Sequence, residues 1–290
     1  MKSKYSIAED IDGFALDFDR VVNADDSSFD LVDAKYANGI WFGAYGDNIG
    51  KFKFHVNDTA WNFEPSFSGF TEEIESRKAE GYELTDVEYT EGGYWFGVFA
   101  DAVVNSKLIS AETMAGIDEQ VEELQALDPD DLFQYQVVDL EYTDELIVGV
   151  LNSTFGDAAY TTSEDFEEFE LEVERQQDEG LELTNLEYVD GDFVGIFDAE
   201  LSGESIYSPE PHADIKDFKS EITAYRSQGY DLINIESIEG EWFGIYKEDI
   251  YLDDSLNSVS KSEDTVSILR SAGAETNASA IGIGIIADSY

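Results

Sequence analysis

Two columns of polar side chains hold the residues best suited to chemistry in this chain. Five stretches can be laid over one another: Phe29–Tyr45, Gly81–Asp101, Phe133–Leu151, Gly180–Asp198 and Gly229–Tyr246. In register they put Asp33, Asp86, Asp139, Asn185 and Asn234 at one position. Two residues on stand Lys35, Glu88, Glu141, Glu187 and Glu236. Oxygen-bearing groups that recur in this way suit two tasks. One is a hydrogen-bond ladder between neighbouring units, because buried polar groups need partners. The other is a ring of oxygen ligands for Ca²⁺, with Asp86, Glu88, Asp139 and Glu141 as the candidate metal ligands. Lys35 interrupts the second column, and neither an EF-hand loop nor a glycine-rich nonapeptide accompanies it.

A second recurring set is aromatic: Trp41-Phe42, Trp95-Phe96 and Trp242-Phe243. Core packing is the expected use. Exposed tryptophans would instead stack on glycan rings. Residues 57–69 read as an inserted aromatic loop. Trp61, Phe63 and Phe67 there either cover the core or serve as candidate contacts to a sugar or peptide.

Other chemistries lack their residues. His55 and His212 are not paired at zinc spacing. No G-x-S-x-G, P-loop or dinucleotide fingerprint occurs. Ser258-Val259-Ser260-Lys261 fits S-x-x-K, but it lies in a polar linker. The reading is therefore of a non-enzyme with no catalytic residues.

Composition narrows the partners. Asp and Glu number 66 against 16 Lys and Arg, a formal charge of −50. Such a surface repels nucleic acid and anionic lipid. No apolar run is long enough to span a membrane. Cysteine is absent, which excludes disulfides and thiolate metal sites. The first thirty residues lack a cationic start followed by an apolar run, so no classical signal peptide is expected. The expected partner is a protein or glycan, or a second copy of the chain, with Ca²⁺ the one candidate cofactor. The expected place is outside the cell or on its surface, or else the cytoplasm of a salt-adapted organism or a virion.

The elements that position these columns repeat as well. Each stretch reads as a two-sided strand, a turn such as Asp190-Gly191-Asp192, and a nearly uncharged strand centred on Gly43, Gly97, Gly149, Gly195 or Gly244. The spacings between those glycines are 54, 52, 46 and 49 residues. They mark a bulge or a close approach by a neighbouring unit. A helix precedes most stretches, with Asp12 and Ser163 as expected N-caps and Gly81, Gly180 and Gly229 as stops. Strands are expected at Lys51–Val56 and ahead of the later helices.

Helix, Gly-Tyr, Leu-x-x-Val-x-x-Tyr, Gly-x-x-aromatic-x-x-aromatic and a short strand form a pattern seen best in Phe70–Phe99 and Phe166–Phe197. It resembles the bacterial tandem repeat domain family, whose repeats of about fifty residues also stand beside the hydrolase domain of polyglycine hydrolases. In relaxed form the resemblance covers most of the chain. It implies an accessory, recognition or scaffold role. The chain departs from that family in having few arginines and far more acid.

The expected fold is an α+β repeat protein in a single array. Five clear units and a degenerate sixth, each strand-helix-strand-strand, span approximately 4–46, 51–101, 107–152, 158–198, 204–247 and 249–290. A propeller-like ring or a short curved solenoid would accommodate them. The final twenty residues read as a closing strand or as a C-terminal export signal. The expected function is a structural or adhesive repeat protein of a cell surface, matrix or assembly, stabilised by salt or cations. The alternative is a glycan- or peptide-binding module that uses exposed aromatics.

Overall fold

A strand, a helix and two further strands follow one another five times. The first set is β1 (Ser3–Ala8), α1 (Ile11–Val21), β2 (Phe29–Ala37) and β3 (Ile40–Asp47). The second is β4 (Thr59–Glu64), α2 (Phe67–Ala79), β5 (Tyr82–Tyr89) and β6 (Trp95–Asp101). The third is β7 (Ser106–Ala111), α3 (Met114–Leu127), β8 (Gln134–Tyr142) and β9 (Ile147–Thr154). The fourth is β10 (Ala158–Ser163), α4 (Phe166–Asp178), β11 (Glu182–Val189) and β12 (Asp192–Asp198). The fifth is β13 (Ser205–Tyr207), α5 (Ile215–Ser227), β14 (Tyr230–Ile238) and β15 (Glu241–Glu248). This is a computed structural model, and it describes residues 3–22, 29–47, 59–64, 66–90, 92–101, 105–127, 134–143, 146–154, 158–199 and 204–248. All of them belong to the unit Met1–Ile250.

The fold is mixed α+β. Among the described residues each set forms its own three-stranded antiparallel sheet, with the last strand in the middle: β1-β3-β2, β4-β6-β5, β7-β9-β8, β10-β12-β11 and β13-β15-β14. The described sheets do not join into a barrel. Two-residue turns close three of the hairpins. Asn38-Gly39 holds φ values of 53° and 75°, the left-handed pair a type I′ turn requires. Asp10, Ser66, Asp165 and Asp214 cap their helices by accepting a first-turn backbone N–H. Two expected caps are thus corrected. Asp12 sits inside the first turn of α1, and Ser163 ends β10.

The middle strand is apolar because it is covered. Phe14, Phe70, Ile117, Phe169 and Phe218, one from each helix, are fully buried. A Cβ added to Gly97 would lie 2.8 Å from Phe70 Cε2, and one on Gly43 would lie 2.9 Å from Phe14 Cε2. At Gly43, Gly97, Gly195 and Gly244 the space admits the phenylalanine ring of the same unit's helix, whereas at Gly149 it admits Ile109 and Leu140 of the flanking strands.

The bulge lies elsewhere. In all five sheets the register slips once, between Leu31/Asp33, Leu84/Asp86, Val137/Asp139, Leu183/Asn185 and Leu232/Asn234. One extra residue inverts the alternation of a strand. Leu84 is thereby packed in the core around Phe70 and Ile74, while Asp86 leaves that core and meets the polar side chains of other sheets.

Each apolar core combines one unit with the next. Phe96 and Val98 join the core of the first unit, and Val148 and Val150 that of the second. Val194 and Ile196 join that of the third, and Phe243 and Ile245 that of the fourth. Phe42 and Ala44 of the first unit join the core of the fifth. Contacts run from β2 to β5, from β5 to β8, from β8 to β11, from β11 to β14 and from β14 back to β2.

The inserted loop expected over 57–69 is corrected too. Residues 61–64 alternate apolar and polar, and residues 59–64 form β4, paired with β6 from Thr59↔Ala100 to Glu64↔Trp95. The strand expected at Lys51–Val56 and the sixth unit at 249–290 lie outside the described residues, as do His55 and Ser258–Lys261. No described helix is long and apolar enough to cross a membrane.

Candidate functional site

The bulge aims two side chains of every second-to-last strand away from its own core. They are separated by two residues, about 6–7 Å along a strand, so the five strands present two polar layers. All ten side chains are between 2% and 9% exposed. The two columns read from the sequence fall in these two layers.

In one layer the Lys35 ammonium stands among four glutamates, one from each of the other units. Its Nζ lies 2.8 Å from Glu236 Oε2, 2.9 Å from Glu88 Oε2, 3.3 Å from Glu141 Oε2 and 3.6 Å from Glu187 Oε2. Burial alone would lower the pKa of Lys35, but the four carboxylates outweigh it and hold the lysine well above its ordinary value. Burial pushes Glu88 and Glu187 well up, against the pull of Lys35, and raises Glu236. The residue that interrupts the column in sequence is therefore its counter-ion. A lone lysine in register with four glutamates is a signal that charge balance alone could have flagged.

The other layer is Asp33, Asp86, Asp139, Asn185 and Asn234. Asp33 Oδ2 accepts from Ile235 N at 2.5 Å and from Asn234 Nδ2 at 3.1 Å. Asp139 Oδ2 accepts from Val87 N at 2.6 Å, and Asp139 Oδ1 from Asn185 Nδ2 at 3.0 Å. Asn234 Nδ2 also donates to Asn185 Oδ1 at 2.5 Å. These bonds join different units, including the fifth to the first. Burial pushes Asp33 up to about 7, with Asp139 and Glu236 adding to it while Ile235 N–H and Lys35 oppose. Burial, then Asp139, Asp33 and Glu88, drives Asp86 well above the carboxylate range. Asp139 is raised by burial as well.

The four expected metal ligands are thus divided. Glu88 and Glu141 hold Lys35, whereas Asp86 and Asp139 belong to the second layer. Among the described residues, no group of three or more carboxylates, imidazoles or thiols is arranged to hold a metal ion.

A cavity of about 260 Å³ opens beside the lysine layer. Its walls include Lys35, the four glutamates, and Tyr36, Tyr89, Tyr142 and Tyr188. A second cavity, about 330 Å³, lies apart from the columns and is lined by residues of α3, β8 and β10, among them Gln136, Ala158 and Tyr160.

Trp41, Trp95 and Trp242 are at most 4% exposed, so these three are core residues and offer no face to a glycan. Trp61 and Phe63 stand on β4, an outer strand of its sheet. Phe67 is half-buried, its ring 4.9 Å from that of Trp95. His212 pairs through Nε2 with Glu221 Oε2 at 2.7 Å. Glu221 Oε1 takes bonds from Ser208 Oγ and Tyr246 Oη. Ser208 is fully buried and donates to the carboxylate, not to the imidazole, so this cluster lacks the serine–histidine pair of a hydrolase.

Neither a protein-family model nor a curated protein matches the chain.

Proposed function

We propose that the chain is a non-enzymatic scaffold, a propeller-like ring of five units whose polar axis holds it closed. Its role is structural or adhesive, at a surface or within an assembly. The observation that carries this reading is Lys35, whose ammonium gathers a glutamate from each of the other four units. The buried polar side chains of the two columns join units together. The contacts from β14 back to β2 and the bond from Asn234 to Asp33 support closure. The recurring sequence supports kinship with the bacterial tandem repeat domain family. The charge of −50 supports a setting rich in cations, where screening weakens self-repulsion.

Sedimentation velocity from low to molar salt tests the role, run beside hydrolase and glycan-binding assays. A scaffold self-associates reversibly as salt rises and turns nothing over. A monomer at every salt concentration, with catalytic turnover, would sink the reading. The alternative is a glycan- or peptide-binding module, favoured by Trp61 and Phe63 on an outer strand. It requires saturable sugar or peptide binding that Trp61→Ala removes.

A further inference from the structure

The aspartate–asparagine layer is short of donors. Two of its acceptor oxygens, Asp86 Oδ2 and Asn234 Oδ1, have no hydrogen-bond partner, although their side chains are only 7% and 5% exposed. A buried acceptor left unpaired bears its full desolvation cost, so it calls for an explanation. The groups around Asp86 do not supply one. Its charged neighbours are Asp139, Asp33 and Glu88, with Lys35 the one cation among them. Lys35 is already committed to four glutamates. The nearby backbone donors Val87 N and Ile235 N are taken by Asp139 and Asp33. An orphan oxygen among carboxylates is best satisfied by positive charge.

We propose that this layer seats a hard divalent cation, calcium by its chemistry, with Asp86 Oδ2 and Asn234 Oδ1 as ligands and Asp33 and Asp139 supplying further oxygen. Every available ligand is an oxygen, which favours calcium and disfavours zinc, whose structural sites use sulfur and nitrogen. The layer offers five oxygen-bearing side chains, one from each unit. Calcium takes six to eight oxygens in flexible, often pentagonal arrangements, whereas magnesium demands a tight octahedron. The three aspartates by themselves are not gathered into a metal-holding group. The Asn234 amide oxygen and water complete the ligand set, as is usual for this ion. This site needs the five strands to meet, which their hydrogen bonds record. It does not need the scaffold role, so either idea can fail without the other.

The test is calcium itself, titrated into EDTA-treated full-length protein by calorimetry. Melting is followed in parallel in Ca²⁺, Mg²⁺ and NaCl at matched ionic strength. The expected result is one site per chain and a melting temperature raised by Ca²⁺ beyond the matched salts, since a native-state ligand stabilises by mass action. Asp86→Asn keeps the shape and removes the charge, and should weaken that site at least ~10-fold, because ligand charge count tunes calcium affinity. An equal rise in all three salts would mean screening alone and overturn the proposal, as would undiminished calcium binding in Asp86→Asn. Should that variant fail to fold, diffraction from wild-type crystals grown with calcium decides. An anomalous peak inside the layer supports the site, and its absence there overturns it.

Discussion

Lys35 is a buried cation with more carboxylate around it than one charge can balance. Removing one partner of a buried ion pair costs about 3–5 kcal/mol, because the groups left behind remain buried and unpaired. Lys35→Met should lose about that much near pH 8, read from urea denaturation. The loss should shrink near pH 5. The sign follows from the raised values of Glu88, Glu187 and Glu236. An acid whose folded pKa is raised holds its proton more firmly when folded. Its contribution to stability is full below the unfolded value and fades as pH rises through the folded one. Asp33, faced by Asp139, Lys35, Glu236 and the Ile235 N–H, gives the window. In EDTA the wild-type protein should lose stability between about pH 4 and pH 7, by roughly 1.4 kcal/mol per pH unit for each proton released. A Lys35→Met cost that is unchanged by pH would refute this account of the axis.

At the scale of elements, the fold rests on two one-residue devices. The glycine at the centre of four of the five middle strands makes room for a helix phenylalanine, and the bulge turns the next polar side chain away from the core. Gly97→Ala would drive a methyl group to 2.8 Å from Phe70. We expect a loss of about 1–3 kcal/mol, the usual cost of overpacking, seen as a lower urea midpoint with an unchanged slope. The order of elements was legible in the sequence because strand alternation, turn glycines and helix stops all recur. The bulge was not, since Leu84 and Asp86 have the same parity and periodicity alone puts them on one face. Nor was β4. Its alternation runs only from Trp61 to Glu64, too short a stretch to tell a strand from an aromatic loop. A latch also recurs: Ser106 donates from N and Oγ to Glu83, and Ser205 does the same to Glu182. Ala158 begins β10 where those serines begin β7 and β13, and the larger cavity opens beside it.

At the scale of the whole molecule, every sheet among the described residues is made from one contiguous stretch of chain, and no described strand is shared between the first unit and the fifth. The proposed ring is therefore closed by side chains and packing. Besides the axis, Asn38 in the β2–β3 turn donates from Nδ2 to the Gly240 carbonyl in the β14–β15 turn. The residue after Asn38 is Gly39, chosen for the turn it allows. A glycine neighbour also hinders least the attack of backbone nitrogen on an asparagine amide. Such an attack ends in hydrolysis to aspartate or isoaspartate. The product has no amide to donate and places a carboxylate against a carbonyl oxygen. The turn that bonds the first unit to the fifth thus carries its own chemical clock. Protein stored at alkaline pH should deamidate at Asn38, as peptide mass mapping would record, and the aged fraction should melt earlier than fresh material.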